Sequence, residues 1–238
     1  MKTFISFLSN TAEFFFPNGC ILCGASLLGN SAPLQPLCNA CAASILEQQI
    51  RSERCRICGA VLTSEDSICM RCREKTYAFD AHISPYMYSG DIPALLSAYK
   101  NGGYRSIARF FAYLSSIHLS EQFAGLPLVP VPSRPMTRHK RGFDNTGLIC
   151  RHLNRLYGIR VLYILARSNG KPQKSLDYNE RFSNLEGKIS LKHTPDPLPP
   201  RVVLFDDVFT SGATADACAA VLKNAGIQRV DVLTIAQD

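Results

Sequence analysis

Arg201-Val-Val-Leu-Phe-Asp206-Asp207-Val-Phe-Thr210-Ser211-Gly212-Ala213-Thr214 is the stretch that decides how this chain folds. Four apolar residues, 202–205, read as a strand buried on both faces, and the residues over 215–224 read as a helix. Between them lie an acidic pair and a loop of hydroxyl-bearing and small residues. In an open α/β sheet this order delivers the carboxylates to the carboxyl edge, where such sheets bind ligands. A small-residue loop feeding a helix also presents consecutive backbone N–H groups, which is the geometry that cradles a phosphate. A sugar phosphate satisfies both halves. The loop would take a 5′-phosphate while Asp206 and Asp207 reach the ribose 2′- and 3′-hydroxyls, directly or through Mg²⁺. The plainer alternative is a polar strand end in which Thr210 or Ser211 caps the helix. No G-x-x-x-x-G-K-[ST], G-x-G-x-x-G or G-x-S-x-G is present, so P-loop, dinucleotide-binding and serine-hydrolase chemistries lose their usual support.

Working outward, the pattern from residue 77 alternates strand-like with helix-like segments and predicts an α/β fold with a largely parallel sheet flanked by helices. Strands are expected over 80–88, 126–131 and 161–165, and helices over 92–100, 105–120 and 145–157. The last of these carries Ile149, Leu153 and Leu156 on one face. Residues 167–188 are polar and long for a connection, which predicts a mobile functional loop. Residues 193–200 hold four prolines and form a rigid connector.

The amino-terminal third obeys a different rule. Eight of the ten cysteines fall in four C-x-x-C pairs: Cys20/Cys23, Cys38/Cys41, Cys55/Cys58 and Cys69/Cys72. Such pairs aim two thiolates at one point, and Gly24 and Gly59, each just after a pair, supply the positive φ that a metal knuckle needs. Two tandem structural zinc sites follow. Sequential pairing is the simpler assignment, and interleaved pairing uses the same spacing. A segment this short and polar has too little core to fold alone, and structural zinc contributes on the order of 10–16 kcal/mol of apparent binding energy. A closed Cys₄ shell leaves no open position for catalysis. The expected organisation is an amino-terminal helix and double-ribbon module over 1–76, then the α/β domain over 77–238. Cys150 and Cys218 lie in apolar helical patterns and are expected to be buried.

Composition narrows the class. With 46% apolar and 19% charged residues among 238, the chain is neither disordered nor collagen-like, and no apolar run reaches the roughly 18 residues of a membrane span. Residues 1–16 carry Phe4, Phe7, Leu8, Ala12 and Phe15 as a helical stripe, read as a docked amphipathic helix or one that meets a membrane surface or partner. No secretory signal is legible, so a cytoplasmic location is expected. Of the net charge of +7, residues 134–192 carry +9, with 13 Lys or Arg against 4 Asp or Glu, which leaves −2 for the rest. A cluster of that strength marks either a solvated basic face or a polyanion partner. His82, His118, His139 and His152 are scattered and read as structural or exposed. Only His139, inside Arg138-His-Lys-Arg141, has a functional neighbourhood.

Residues 202–214 resemble the phosphoribosyl pyrophosphate (PRPP) motif of the type I phosphoribosyltransferases. Val129-Pro-Val-Pro132, Arg141-Gly142-Phe143 and the spaced Gln173, Leu176, Arg181 and Asn184 resemble the ComF (competence protein F-like) family, which also carries N-terminal zinc cysteines. The resemblance runs over about 17–235. Where the family pattern reads Arg-Gly-Phe-Asn-Gln, this chain has Asp144 and Asn145 in the last two places. The resemblance implies a type I phosphoribosyltransferase-like sheet that binds PRPP with Mg²⁺. Asp206 and Asp207 would be catalytic, and Thr210, Ser211, Gly212, Ala213 and Thr214 would hold the phosphate. Ser133, Arg134, Arg167, Lys171 and Lys174 would serve the pyrophosphate, the last three by closing over it. Family members are linked to natural transformation, where they act with a cytosolic helicase on imported single-stranded DNA. For such a role Arg138, Lys140 and Arg141 are the candidate phosphate contacts, with Phe143, Tyr157 and Phe182 for base stacking. No acceptor pocket is legible.

Overall fold

The computed structural model describes residues 19–27, 36–168, 185, 187–192 and 194–238. The helix expected over 1–16 lies outside the described residues, as do Lys171, Gln173, Lys174, Leu176, Arg181, Phe182 and Asn184. In chain order the elements are α1 (Asn39–Glu47), α2 (Met70–Glu74), β1 (Ala81–Ile83), β2 (Tyr86–Met87), α3 (Ile92–Lys100), α4 (Ile107–Gln122), β3 (Leu128–Pro130), α5 (Pro135–Arg141), α6 (Asn145–Tyr157), β4 (Leu165–Arg167), β5 (Ile189–Leu191), β6 (Arg201–Phe209), α7 (Ala213–Asn224) and β7 (Arg229–Gln237).

The main sheet is parallel throughout, in the order β1-β7-β6-β3, with β2 also pairing β7. This bears out the expected α/β class. The strand expected over 80–88 breaks into β1 and β2 around Ser84 and Pro85, where proline has no N–H to give the ladder. The strand expected over 161–165 contributes a single bridge, Val161 to Leu128, and the chain instead pairs β4 with β5 in a separate antiparallel ribbon. That ribbon is the stem of the long connection read as a loop. α5 and β7 are absent from the elements expected above. β7 holds the centre of the sheet, and its charge at Asp231 masks it in sequence. That carboxylate is buried and held by Arg201 Nε at 2.7 Å and Arg229 Nη2 at 3.0 Å.

Side chains alternate across a strand, so β6 and β7 feed two cores. Val203, Phe205, Leu233 and Ile235 pack with Leu96, Tyr99, Phe111 and Ile149, and with Cys20, Leu37 and Ile45 of the first cysteine module. Val202, Leu204, Val230 and Val232 pack with Cys218, Ala219 and Leu222 of α7, and with Cys55, Cys58, Cys69 and Cys72 of the second. The two cysteine modules thus cover opposite faces of one sheet. Cys150 and Cys218 are fully buried, as expected.

α6 shows how the local sequence sets a helix near the carboxyl edge. Asp144 caps it by accepting from Gly147 N at 3.2 Å, and Gly158 ends it at φ 68°, in the left-handed region. Tyr99 of α3 donates its hydroxyl to the Asn145 carbonyl at 2.6 Å and ties the two helices together inside the core. Tyr99→Phe removes that donor and leaves a buried carbonyl unpaired, so urea unfolding is expected to register a loss of about 1–3 kcal/mol. An unchanged midpoint and slope would mean that the bond contributes nothing net.

Candidate functional site

The cysteines form two separate clusters with sequential pairing, Cys20, Cys23, Cys38 and Cys41 in one, and Cys55, Cys58, Cys69 and Cys72 in the other. Within each, all four sulfurs lie within 4.8 Å of one another, with Cys23 to Cys38 at 3.7 Å and Cys58 to Cys69 at 3.6 Å. A tetrahedral zinc with Zn–S bonds of about 2.3 Å puts its sulfurs about 3.8 Å apart, so the sulfur spacing fits zinc. The knuckles match. Gly24 N donates to Cys20 O at 2.8 Å and Gly59 N to Cys55 O at 2.9 Å, both glycines at positive φ. The second pair of each cluster opens a helix, with Cys38 and Cys69 at the N-cap positions of α1 and α2.

The thiols also show the charge crowding that a divalent cation relieves. Burial opposes ionisation of Cys20 and Cys55, yet backbone N–H donors at Cys23 and Cys38, and at Cys58 and Cys69, outweigh it and bring each thiol down to about 7. Burial and the neighbouring sulfurs drive Cys41 and Cys72 the other way, far above the ordinary thiol value. The arrangement is structural zinc chemistry with no open coordination position.

At the carboxyl edge of the sheet a cleft of about 320 Å³ gathers residues from six elements and their loops. β6 supplies Asp206 and Asp207, the loop after β3 supplies Ser133 and Arg134, and Arg167 comes from β4. Thr137 and Arg141 come from α5, and Asn145 and Thr146 from α6. Thr210 and Thr214 close one side, and a smaller cavity of about 30 Å³ behind them is lined by the whole 210–214 loop and Thr234. Gly212 stands at the N-cap of α7 with φ 80°, and a Cβ there would meet the Phe209 ring at 2.8 Å, so glycine is required on two counts. Ser211 Oγ accepts from Ala213 N at 3.4 Å at the start of α7, as the capping alternative expected, and among the described residues neither carboxylate caps the helix. Asp206 accepts from the Asp207 backbone N–H at 2.8 Å. Asp207 pairs instead with Lys100 at 2.7 Å.

The cleft brings like charges close together. Burial, then the neighbouring Asp207, push the Asp206 carboxyl up to about 7. Arg134 Nη2 is buried with no hydrogen-bond partner among the described residues, and burial followed by the like charge of Arg167 holds its pKa below the ordinary value. Burial lowers Arg167 too, opposed by Asp206. Asn145 Oδ1, at the cleft wall, is also buried without a partner among the described residues.

Most of the residues singled out from sequence therefore converge on one cleft, while Lys171 and Lys174 lie outside the described residues. Arg138 instead lines an adjoining cleft of about 190 Å³ with Lys192 and Arg167, and Lys140 is exposed and lines neither. Phe143 is a correction. Expected as a stacking residue, it is 8% exposed, with its ring 5.4 Å from that of Tyr99 and covered by the Arg105 guanidinium at 4.9 Å. The Asp144 departure acquires a reason. Its carboxylate accepts from Ser133 Oγ at 2.8 Å as well as capping α6, a role asparagine fills equally. Lys100, Thr137 and Thr146 were not legible, since a lysine ending a helix usually marks only a favourable dipole contact.

Fold and sites define a parallel α/β sheet with a cleft at its carboxyl edge, covered on both faces by Cys₄ modules. Residues 11–76 match the double zinc ribbon domain model. Competence protein F of Haemophilus influenzae is 26% identical over 235 residues, covering 94% of this chain and 98% of its own length. Competence protein ComFC of Streptococcus pneumoniae is 25% identical over 228 residues, covering 91% and 98%. These similarities bear out the ComF-family resemblance with its amino-terminal double zinc ribbon. Among the described residues no helix is long and apolar enough to cross a membrane.

Elemental analysis should find two zinc ions per chain, and Cys55→Ser should retain one. Because a proton competes with zinc for each thiolate, metal release should rise as the pH falls. Full chelation should cost several kcal/mol in stability. A purified chain that holds no zinc and keeps its thermal midpoint in chelator would refute the assignment.

Proposed function

We propose that this chain binds PRPP in the carboxyl-edge cleft and belongs functionally with its competence-protein relatives in DNA uptake. The observation that carries the reading is Arg134, a half-buried arginine whose Nη2 is buried with no partner among the described residues, beside a second arginine and lining the same cleft as two adjacent carboxylates. A buried unpaired donor carrying charge is costly unless an anion arrives. A doubly charged pyrophosphate next to a ribose diol answers both halves. The 210–214 loop takes the 5′-phosphate, Asp206 and Asp207 accept from the 2′- and 3′-hydroxyls, and Arg134 with Arg167 holds the pyrophosphate.

Asp206 and Asp207 are also the residues that would hold Mg²⁺, whose charge offsets that of the pyrophosphate. In transfer to an acceptor nucleophile, the chain's own part is positioning and charge stabilisation. The arginines steady the negative charge that grows on the departing pyrophosphate, and the carboxylates orient the sugar ring.

Calorimetric titration of PRPP with Mg²⁺ tests this against Asp206→Asn/Asp207→Asn, which should lose binding. The pH profile adds a sign. A carboxyl titrating near 7 must lose its proton to accept from the diol or to meet a cation, so affinity should rise from pH 6 to pH 8 and flatten in Asp206→Asn. The same shift acts on stability. A carboxyl raised in the folded state stabilises below its unfolded value of 3.8, and that contribution is lost as pH rises through about 7. Asp206→Asn should therefore unfold later than wild type at pH 8, by on the order of 1–3 kcal/mol, and show little gain at pH 4. Binding that survives the double substitution would defeat the reading.

α5 favours a second role. Arg138, His139 and Lys140 are exposed in its last turn beside the cleft, a surface suited to the phosphate backbone of single-stranded DNA. Affinity for an oligonucleotide should then fall with salt at a log slope of about −0.7 per contacted phosphate, and Arg138→Glu/Lys140→Glu should flatten it. An unchanged slope would remove α5 from the interface.

A further inference from the structure

The second ribbon forms the back wall of the phosphate loop. His82, 2% exposed on β1, bridges them: its Nδ1 lies 2.6 Å from the carbonyl of the cysteine Cys58, and its Nε2 lies 2.8 Å from Thr234 Oγ1. The carbonyl can only accept, so Nδ1 carries the hydrogen, and Nε2 meets a threonine hydroxyl that also lies 3.1 Å from the Ala236 carbonyl. Thr234 lines the small cavity behind the loop and pairs with Asp206 across the sheet. The imidazole also stacks on Phe209, the last residue of β6 before the loop, at 3.9 Å and 13°. Phe209 in turn meets Phe79 edge-on and limits the space at Gly212.

Two further ties run in parallel. Gln237 Nε2 donates to the Gly59 carbonyl in the zinc knuckle at 2.9 Å. Asp216, in the first turn of α7, accepts from Ala78 N just beyond the ribbon at 2.6 Å. The knuckle has no slack, since a Cβ at Gly59 would lie 2.8 Å from the His82 carbonyl oxygen. Displacing Cys58 therefore displaces His82, and with it the ring against which the loop is set. The first ribbon packs into the other core, on the opposite face of the sheet.

We propose that the second ribbon positions the phosphate loop through His82 and Phe209, so that metal at Cys55, Cys58, Cys69 and Cys72 governs the loop's geometry and thereby its affinity for the phosphate of a sugar-phosphate ligand. His82 and Phe209 are positioning residues; neither needs to touch the ligand. The affinity clause rests on the proposed PRPP reading, whereas the loop geometry does not.

Hydrogen exchange by mass spectrometry on the full chain, without ligand, reads the loop directly. His82→Phe keeps a ring against Phe209 and breaks both hydrogen bonds; Cys72→Ser removes a ligand of the second site; Cys23→Ser does the same at the first. Amides of 209–216 should exchange about tenfold faster in His82→Phe and Cys72→Ser, while Cys23→Ser leaves them at the wild-type rate and α6 stays protected in His82→Phe. If Cys72→Ser unfolds throughout, His82→Phe at two zinc ions per chain decides alone. Wild-type exchange at 209–216 in His82→Phe, or equal acceleration by Cys23→Ser, overturns the proposal. PRPP titration of the same proteins separates the two claims. Where wild type binds, His82→Phe should weaken binding about tenfold. A wild type that does not bind overturns the sugar-phosphate reading and leaves the exchange result to judge the coupling.

Discussion

Asp206 can stand among buried groups at the edge of the sheet because β6 and β7 pair in parallel over nine-residue strands, and much of the molecule follows from that pairing. The register sets Asp206 against Thr234 and carries β6 past the acidic pair to Phe209. One strand thereby holds the carboxylates and begins the phosphate loop, while its neighbour carries the threonine that His82 grips from behind. A one-residue slip of β6 would exchange its two faces and send Val203 and Phe205 into the core that now receives Val202 and Leu204. The ladder is secured at its other end by Asp231, buried between Arg201 and Arg229.

The covering of this sheet explains why zinc belongs to the architecture. Helices α3, α4 and α6 pack one face and α7 the other, and each face is completed by a cysteine module whose own apolar residues are few. Leu37 and Ile45 are fully buried, yet they lie beside Cys20 in a core made chiefly by the later helices. Such a module holds its shape only when four thiolates are drawn together, because their mutual repulsion otherwise favours protonation and expansion. Metal binding and sheet packing are therefore linked terms in the same folding free energy.

What was legible in the sequence was local. The C-x-x-C pairs, the acidic pair and the Gly212 turn each declare themselves within a few residues, because covalent spacing alone fixes their geometry. β7 was hidden by Arg229 and Asp231, charges that only the folded chain brings together. Lys100 reaches Asp207 from a helix that ends more than a hundred residues earlier, and no local pattern marks it. Phe143 misled for the opposite reason. An aromatic after Gly142 in a basic run suggests an exposed ring, but Tyr99 of α3 and Arg105 in the turn before α4 enclose it. His82 read as structural, and it is buried; its link between zinc knuckle and loop depends on contacts separated by up to 152 residues.

The cleft itself is a pair of unresolved repulsions. Asp206 and Asp207 oppose each other at one wall, and Arg134 and Arg167 oppose each other beside them. The opposite charges do not simply cancel, because Arg134 keeps a nitrogen with no partner among the described residues and Asp207 takes Lys100 as its counter-ion. Cations and carboxylates held apart in this way stay available to a ligand that carries both hydroxyls and phosphate oxygens. In the proposed reading, the stability withheld from the free protein would appear as binding energy, provided the walls do not collapse to pair with each other. Rigidity behind the loop is what prevents that collapse. A ribbon braced against Phe209 and Thr234 holds the phosphate end at fixed geometry, while Ser133 bonded to Asp144 anchors the other end to the capped start of α6.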